Sequence, residues 1–272
     1  MRTRALATEF DARAIGTVVD WPNGENLGTW CAVAPLGRGG TAEVWRAVAS
    51  DGREAALKLV RPEWRGHAGA NALIRREHEI LRAVRSPHLV EPYELIDGEG
   101  AAVLVLEYLP HGDLVPLLGA QPRQWLPAFR AVLAALAALE QHGLAHGDLK
   151  ARNVLFAADG SARLADLTSA RPLDAAAAVA TAAYGLPALR GASARDADYF
   201  ALAALLFELA TAQLPYGPRG AAAGTELAAV SPGDPIAARL TEAAVAALQA
   251  RGRVPGLSYF SDVIESVRGQ HG

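Results

Sequence analysis

The stretch His146-Gly147-Asp148-Leu149-Lys150-Ala151-Arg152-Asn153 sets a carboxylate, an ammonium and an amide within six positions, directly after an apolar helical run. A carboxylate such as Asp148 can accept a hydroxyl proton, and the amide oxygen of Asn153 can hold Mg²⁺. Together these groups serve phosphoryl transfer from ATP. That chemistry also asks for a glycine-rich turn over the phosphates, a lysine that pairs with them and a second metal-binding carboxylate. The chain supplies all three in order.

Leu36-Gly37-Arg38-Gly39-Gly40-Thr41-Ala42-Glu43-Val44 is the glycine-rich turn. Its glycines let backbone approach phosphate oxygens closely. A plain glycine hairpin has the same composition, but the strand pattern after it separates the turn from a dinucleotide-binding fingerprint, which opens a helix. Lys58 follows Val44 by fourteen residues, inside the apolar segment Ala55-Ala56-Leu57-Lys58-Leu59-Val60. A charge in such a strand needs a partner. Glu77 on the following helical stretch is preferred to Glu79, which points away from it by about 200° on a helical wheel. Asp166 lies 13 residues after Asn153, past a hairpin at Asp159-Gly160, and returns a second carboxylate to the same place. Asn153 and Asp166 make an oxygen pair suited to Mg²⁺, which takes one or two protein groups beside phosphate oxygens. His146 has no second histidine at ligand spacing and reads as a buried structural residue.

The elements that must position these groups fall into two textures. From Trp30 to about Leu109 the pattern is strand-like: Trp30–Leu36, Ala42–Ala49, Glu54–Val60, Leu89–Ile96 and Ala102–Tyr108, with turns at Asp51-Gly52 and Asp97-Gly98. One helix interrupts it near Asn71–Val84, where Leu73, Ile74, Glu77, Ile80, Leu81 and Val84 recur at helical spacing before Ser86-Pro87. From Leu109 onward helices dominate. Trp125, Phe129, Val132, Leu133, Leu136 and Leu139 share a face, and Gly143 stops that helix. Short strands at Val154–Phe156 and Ala162–Leu164 flank the Asp159-Gly160 turn. Asp198 opens an almost wholly apolar helix to about Thr211, too apolar to be anything but central. Pro215–Pro235 is loop-like, and helices near Ile236–Ala250 and Phe260–Arg268 follow. The expectation is an α+β, two-lobed fold: a sheet-rich lobe over 1–109 carrying the glycine turn and Lys58, and a helical lobe over 110–272 carrying the catalytic loop and Asp166, with a cleft between them.

Composition narrows the alternatives. The 272 residues are 51% hydrophobic and 20% charged, with a net charge of −3. That is ordinary globular composition, with no field to draw in nucleic acid or an anionic membrane. Cys31 is the single cysteine, which excludes an internal disulfide framework and a cysteine-based zinc site and suits a reducing cytoplasm. Met1–Phe10 lacks the apolar core of a secretory signal. The longest apolar run, Tyr199–Ala210, is short for a bilayer span and contains Glu208.

The ordered set of motifs from Ala34 to Tyr216 resembles the eukaryotic-like (Hanks-type) protein kinase superfamily, bacterial Ser/Thr protein kinases in particular. The resemblance implies an ATP site built from Leu36, Gly37, Gly39, Val44, Ala56, Lys58, Glu107, Leu109 and Leu155. In it Lys58 holds the α- and β-phosphates and pairs with Glu77, and Leu106–Leu109 forms the gatekeeper and hinge. It further implies Asp148 as catalytic base, Lys150 steadying the transferred phosphate, Asn153 and Asp166 on Mg²⁺, Asp198 bracing the catalytic loop, and Thr181–Tyr184 as a substrate-facing loop. ATP and a protein bearing a Ser or Thr acceptor are the implied partners.

Three departures from the family pattern stand out. Gly147 replaces the arginine of H-R-D, the residue that receives an activation-loop phosphate, so activity independent of such a phosphate is expected. The short segment after Asp166 agrees, since Thr168 and Ser169 are its only hydroxyls before Thr181, and all three are expected to tolerate alanine. Asp166-Leu167-Thr168 replaces D-F-G, with threonine where a flexible glycine stands. Leu186-Pro187-Ala188 replaces A-P-E and loses the glutamate that pairs with a late arginine, here Arg251 or Arg253.

Two other functions fit parts of the pattern. A small-molecule kinase of the aminoglycoside or choline phosphotransferase type writes its loop His-Gly-Asp, but has more chain than the roughly 38 residues between Glu107 and His146. A nucleotide-binding pseudokinase or scaffold accounts for Thr168, Gly147 and Ala188, but not for the retention of Lys58, Glu77, Asp148, Asn153 and Asp166. With no sensor domain or anchor in the sequence, regulation is expected from a separate protein or from expression.

Overall fold

The computed structural model describes residues 29–98, 101–178, 181–187, 191–221, 226–250 and 254–268. Met1–Phe10, Ala188, Arg251 and Arg253 lie outside them. The chain divides into two compact units: Met1–Arg75 with Pro92–Tyr108, and Arg76–Glu91 with Leu109–Gly272.

The first unit is a five-stranded antiparallel sheet. Its strands are β1 (Trp30–Arg38), β2 (Ala42–Ala49), β3 (Glu54–Val60), β4 (Pro92–Gly98) and β5 (Ala101–Glu107), in the order β1-β2-β3-β5-β4. The central strands β3 and β5 are buried along almost their whole length. Alternation sends Leu57, Leu59, Val103 and Val105 to one face, where they pack with Trp30, Ala47 and Ala49. Lys58 therefore projects from the opposite face, with Ala56. Helix α1 (Ala68–Ala83) begins in this unit and ends in the other. It starts a turn before the apolar periodicity does, because Ala68-Gly69-Ala70 carries no large apolar side chain to announce it. There His67 Nδ1 accepts the Ala70 N–H at 3.2 Å, satisfying a first-turn donor. Asn71 then accepts the Ala102 N–H at 2.7 Å, and Arg75 makes a forked pair with Asp97, so both ends of the β4–β5 turn are tied to the helix.

In the second unit, β6 (Leu144–Ala145) pairs with β9 (Arg171–Pro172) and β7 (Val154–Phe156) with β8 (Ala162–Leu164), both antiparallel. The octapeptide runs from β6 to β7, and Asp166 lies between β8 and β9. Two adjacent ribbons thus bring the two stretches together. Leu89–Val90, expected within a strand of the first unit, belong here instead: Val90 N–H donates to Leu164 O at 3.1 Å, and β4 begins at Pro92. Helix α2 (Pro122–Gln141) buries Trp125, Phe129, Val132, Leu136 and Leu139 on the face read from the sequence. Helix α3 (Ala194–Thr211) is buried nearly all round, and α4 (Pro235–Leu248) and α5 (Leu257–Arg268) complete the described helices. Asp198 does not open α3. Ser193 does, accepting the Asp196 N–H while Asp196 reaches back to Ser193 N, a capping box that puts Asp198 a turn inside the helix. Among the described residues no helix is long and apolar enough to cross a membrane.

Candidate active site

The loop from β6 to β7 is fixed from beneath by one carboxylate. Asp198 accepts the His146 N–H at 2.6 Å on Oδ2 and the Gly147 N–H at 2.8 Å on Oδ1. Burial raises the Asp198 pKa above the usual carboxylate range, while the two backbone donors and His146 pull it back. His146 is fully buried. Its Nε2 donates to Ala165 O at 3.0 Å, tying the loop to the start of the Asp166 segment, and its Nδ1 accepts the Asp148 N–H at 3.2 Å within the loop. Nothing is left for a metal or a transferred proton.

Asp148 is the centre of the polar cluster. Lys150 Nζ donates to its Oδ2 at 2.5 Å, and the Thr181 hydroxyl donates to its Oδ1 at 2.6 Å. Lys150 also reaches the Thr181 hydroxyl at 3.1 Å. The Asn153 amide donates to the Asp148 backbone carbonyl at 2.8 Å, which turns its carbonyl oxygen outward from that bond. Asn153 O accepts the Ala165 N–H at 2.8 Å, so Asn153 and Asp166 sit at the same end of the β7–β8 ribbon. Asp166 has a left-handed backbone, φ 64° and ψ 69°, and accepts the Thr168 hydroxyl at 2.8 Å. Glu77, on the α1 turn within this unit, is 1% exposed. Its Oε1 accepts the Leu167 N–H at 3.1 Å and its Oε2 the Thr168 hydroxyl at 2.9 Å. Glu79 is exposed.

Gly147 is held at φ +81°, and a Cβ there would lie 2.5 Å from Ser169 O. The departure from arginine is therefore a requirement of the backbone as well as a missing charge. The segment beyond Ser169 is stitched down by main-chain bonds. Ala177 N–H donates to Ala192 O at 2.9 Å, Ala194 N–H to Ala175 O at 2.7 Å and Arg195 N–H to Leu173 O at 3.2 Å. Tyr184, just after Thr181, donates its hydroxyl to Glu208 of α3. Burial pushes both groups above their usual pKa values, and the shared hydrogen bond restrains Glu208.

In the first unit, Lys58 is 6% exposed and faces Val44 across β2–β3. Leu36 is exposed on β1 and Ala56 is buried on β3 beside Leu106 of β5. Glu107 ends β5. Of the remaining residues expected at the nucleotide, Leu109 is buried and Leu155 half-buried on β7, both in the second unit. A Cβ on Gly37 or Gly40 would meet nothing within 4 Å, and neither has a positive φ. The chain's own packing and backbone conformation do not require glycine at these two positions. Sequence reasoning passed over Arg61. Its Nη1 donates to Gly39 O at 3.0 Å and to Gly40 O at 2.9 Å, and its other arm pairs with Glu63, which also meets Arg38. Two other contacts had no sequence signal: the Thr168 hydroxyl on Glu77, and the fit of Gly220 against Ala182 O, where a Cβ would come within 1.9 Å.

Asn153 and Asp166 fit a small hard cation that keeps most of its coordination for phosphate oxygens. The described residues hold no group of three or more histidine, cysteine, aspartate or glutamate side chains that could hold a metal ion.

A family profile described as "Protein kinase domain" matches residues 30–230. Among curated proteins, the chain is 33% identical over 199 residues to CBL-interacting protein kinase 4 of Oryza sativa subsp. japonica, covering 66% of this chain and 44% of that protein. It is 33% identical over 135 residues to NUAK family SNF1-like kinase 2 of Rattus norvegicus, covering 48% and 21%. It is 30% identical over 200 residues to a probable serine/threonine-protein kinase of Streptomyces coelicolor, covering 66% and 30%. The chain belongs to the protein kinase domain family, and it spans less than half the length of these relatives.

Proposed function

We propose that this chain is a Mg-ATP-dependent phosphotransferase acting on Ser/Thr hydroxyls of protein substrates, and that it works without a phosphate on its activation segment. One observation carries the first part: Asp148 Oδ1 accepts a hydrogen bond from the Thr181 hydroxyl oxygen 2.6 Å away while Lys150 holds Oδ2. That is the contact a general base makes with an acceptor alcohol. The family match and the serine/threonine kinase relatives support the same assignment.

In this reading the acceptor hydroxyl replaces Thr181 at Asp148 Oδ1. Its oxygen forms the new bond to the γ-phosphorus as the bond to the ADP oxygen breaks, and Asp148 takes the hydroxyl proton. Lys150, already shared between Asp148 and the Thr181 hydroxyl, holds negative charge on the moving phosphoryl group. Lys58 pairs with the α- and β-phosphates under the Gly37–Gly40 turn, with Glu77 as its counter-charge. Leu36, Val44, Ala56 and Leu155 enclose the base, and the backbone of Glu107 and Leu109 meets its edge. Asn153 and Asp166 hold Mg²⁺, which when bound neutralises phosphate charge. Cys31 is a free, exposed thiol, in keeping with a reducing cytoplasm.

The second part rests on Gly147 and on the stitched segment. Position 147 offers no cation to receive a phosphate, and the main-chain bonds between residues 173–177 and 192–195 support a segment held by its own backbone. The triple alanine test suggested by the sequence does not serve, because Thr181 bonds Asp148 and Thr168 bonds Glu77. Phosphatase-treated protein, checked by intact mass, is the proper test. It transfers phosphate to a Ser/Thr acceptor at the rate of untreated protein, and a loss of more than about tenfold (some 1.4 kcal/mol) contradicts the proposal.

A further inference from the structure

Thr168 occupies the place where the family motif has glycine, yet nothing in its backbone calls for glycine: it lies in a short 3-10 turn, Leu167–Ser169. What it adds is a hydroxyl between two carboxylates, 2.9 Å from Glu77 Oε2 and 2.8 Å from Asp166 Oδ1. Asp166 is one of only two non-glycine residues with positive φ among those described. A residue in that setting persists only when its surroundings over-determine it. Here they do so from both sides. The Leu167 N–H and the Thr168 hydroxyl each go to a separate oxygen of Glu77, and the same hydroxyl contacts Asp166. A glycine at 168 keeps the Leu167 N–H bond to Glu77 and loses both hydroxyl contacts.

We infer that Thr168 is a positioning residue of the phosphoryl-transfer site, its hydroxyl bridging Glu77 of α1 to Asp166 and fixing the metal-binding carboxylate. The inference rests on the roles proposed above for Glu77 and Asp166. The hydroxyl carries one hydrogen and two carboxylates compete for it. The bridge holds the Asp166 carboxylate in the position proposed to receive a cation and links that position to the anchoring of the α1 turn that bears Glu77.

The test compares Thr168→Val, which keeps the shape and removes the hydroxyl, with Thr168→Ser, which keeps the hydroxyl. Mn²⁺ binding to the ADP-bound protein is read by electron paramagnetic resonance, beside kcat and KM for a peptide acceptor. The valine variant binds Mn²⁺ about tenfold more weakly and loses about tenfold in kcat, in line with a buried hydrogen bond to a charged group, while KM for the peptide stays put. Serine recovers most of both losses. Equal behaviour of valine and serine, or a valine variant with unaltered Mn²⁺ affinity, overturns the inference. If valine disturbs the fold, Thr168→Gly removes the same hydroxyl and is judged by the same readings. Asp166→Asn separates the two levels: if it abolishes Mn²⁺ binding while the hydroxyl variants bind normally, Thr168 alone is misassigned. If Asp166→Asn binds Mn²⁺ as before, both readings fall.

Discussion

Gly147→Ala adds a single methyl beside Asp148, the proposed general base, and the structure allows its cost to be worked in two parts. The backbone at Gly147 has φ +81°, where an L-residue is disfavoured by about 1–2 kcal/mol. The new Cβ then falls 2.5 Å from Ser169 O and 3.1 Å from Ser169 C. Main chain cannot swing aside like a flexible side chain, so the contact adds the cost of overpacking, about 1–3 kcal/mol. The sum is about 2–5 kcal/mol, which at roughly 2–4 °C per kcal/mol for a chain of this size lowers the melting temperature by about 4–20 °C. Gly160→Ala is the matched control. It has φ +79° with nothing within 4 Å of the added Cβ, so it carries the conformational part alone. Differential scanning calorimetry of both variants gives the contact term by subtraction. Turnover at a temperature where both are folded falls further in Gly147→Ala, because Ser169 cannot move without disturbing Thr168 and Asp166. Equal melting temperatures for the two variants would refute the argument that Gly147 is packed against the activation segment. The same geometry predicts that Gly147→Arg yields a destabilised protein and no phosphate-activated one.

Arg61→Ala frees the carbonyls of Gly39 and Gly40 and raises KM for ATP by about three- to tenfold with less effect on kcat, the scale of one or two partly exposed hydrogen bonds. An unchanged KM means the clamp on the glycine turn has no functional weight. Glu208 has a folded-state pKa raised by burial above its ordinary 4.5. A carboxyl shifted in that direction contributes stability that is present below the ordinary value and is lost as pH rises through the folded one. Glu208→Gln removes that term and can still accept the Tyr184 hydroxyl, so its stability relative to the parent grows as pH rises above the ordinary 4.5 in urea titrations. A pH-independent difference contradicts the assignment.

The sequence was most legible where one local rule dominates. Short apolar runs beside Asp-Gly turns located β3, β7 and β8 to the residue, and the apolar stripe of α2 was evident from Trp125 to Leu139. Starts of helices were harder. The capping signal of α3, Ser193 with Asp196 three residues on, is local and present in the sequence. Asp198 drew the boundary inward because it resembles a helix-opening aspartate, while its carboxylate is spent on His146 and Gly147. Leu89–Val90 have strand composition and pair with β8 instead, a choice made by tertiary packing. The candidate site was legible as residue types in order. Its wiring was not, since the Thr168–Glu77 bond joins positions 91 apart and the Thr181–Asp148 bond positions 33 apart. Gly147 could be read as a lost arginine, whereas its left-handed backbone and the Ser169 carbonyl against it exist only in the folded chain.

The most direct measurement is transfer of labelled γ-phosphate from Mg-ATP to a Ser/Thr peptide acceptor by the parent protein and by Asp148→Asn, with nucleotide binding of both followed by thermal shift. The account predicts transfer by the parent and a loss of at least about 100-fold in the variant, the minimum expected for removing a general base, with nucleotide binding retained. Equal transfer by the two proteins, or a parent that binds Mg-ATP and transfers nothing, would contradict it.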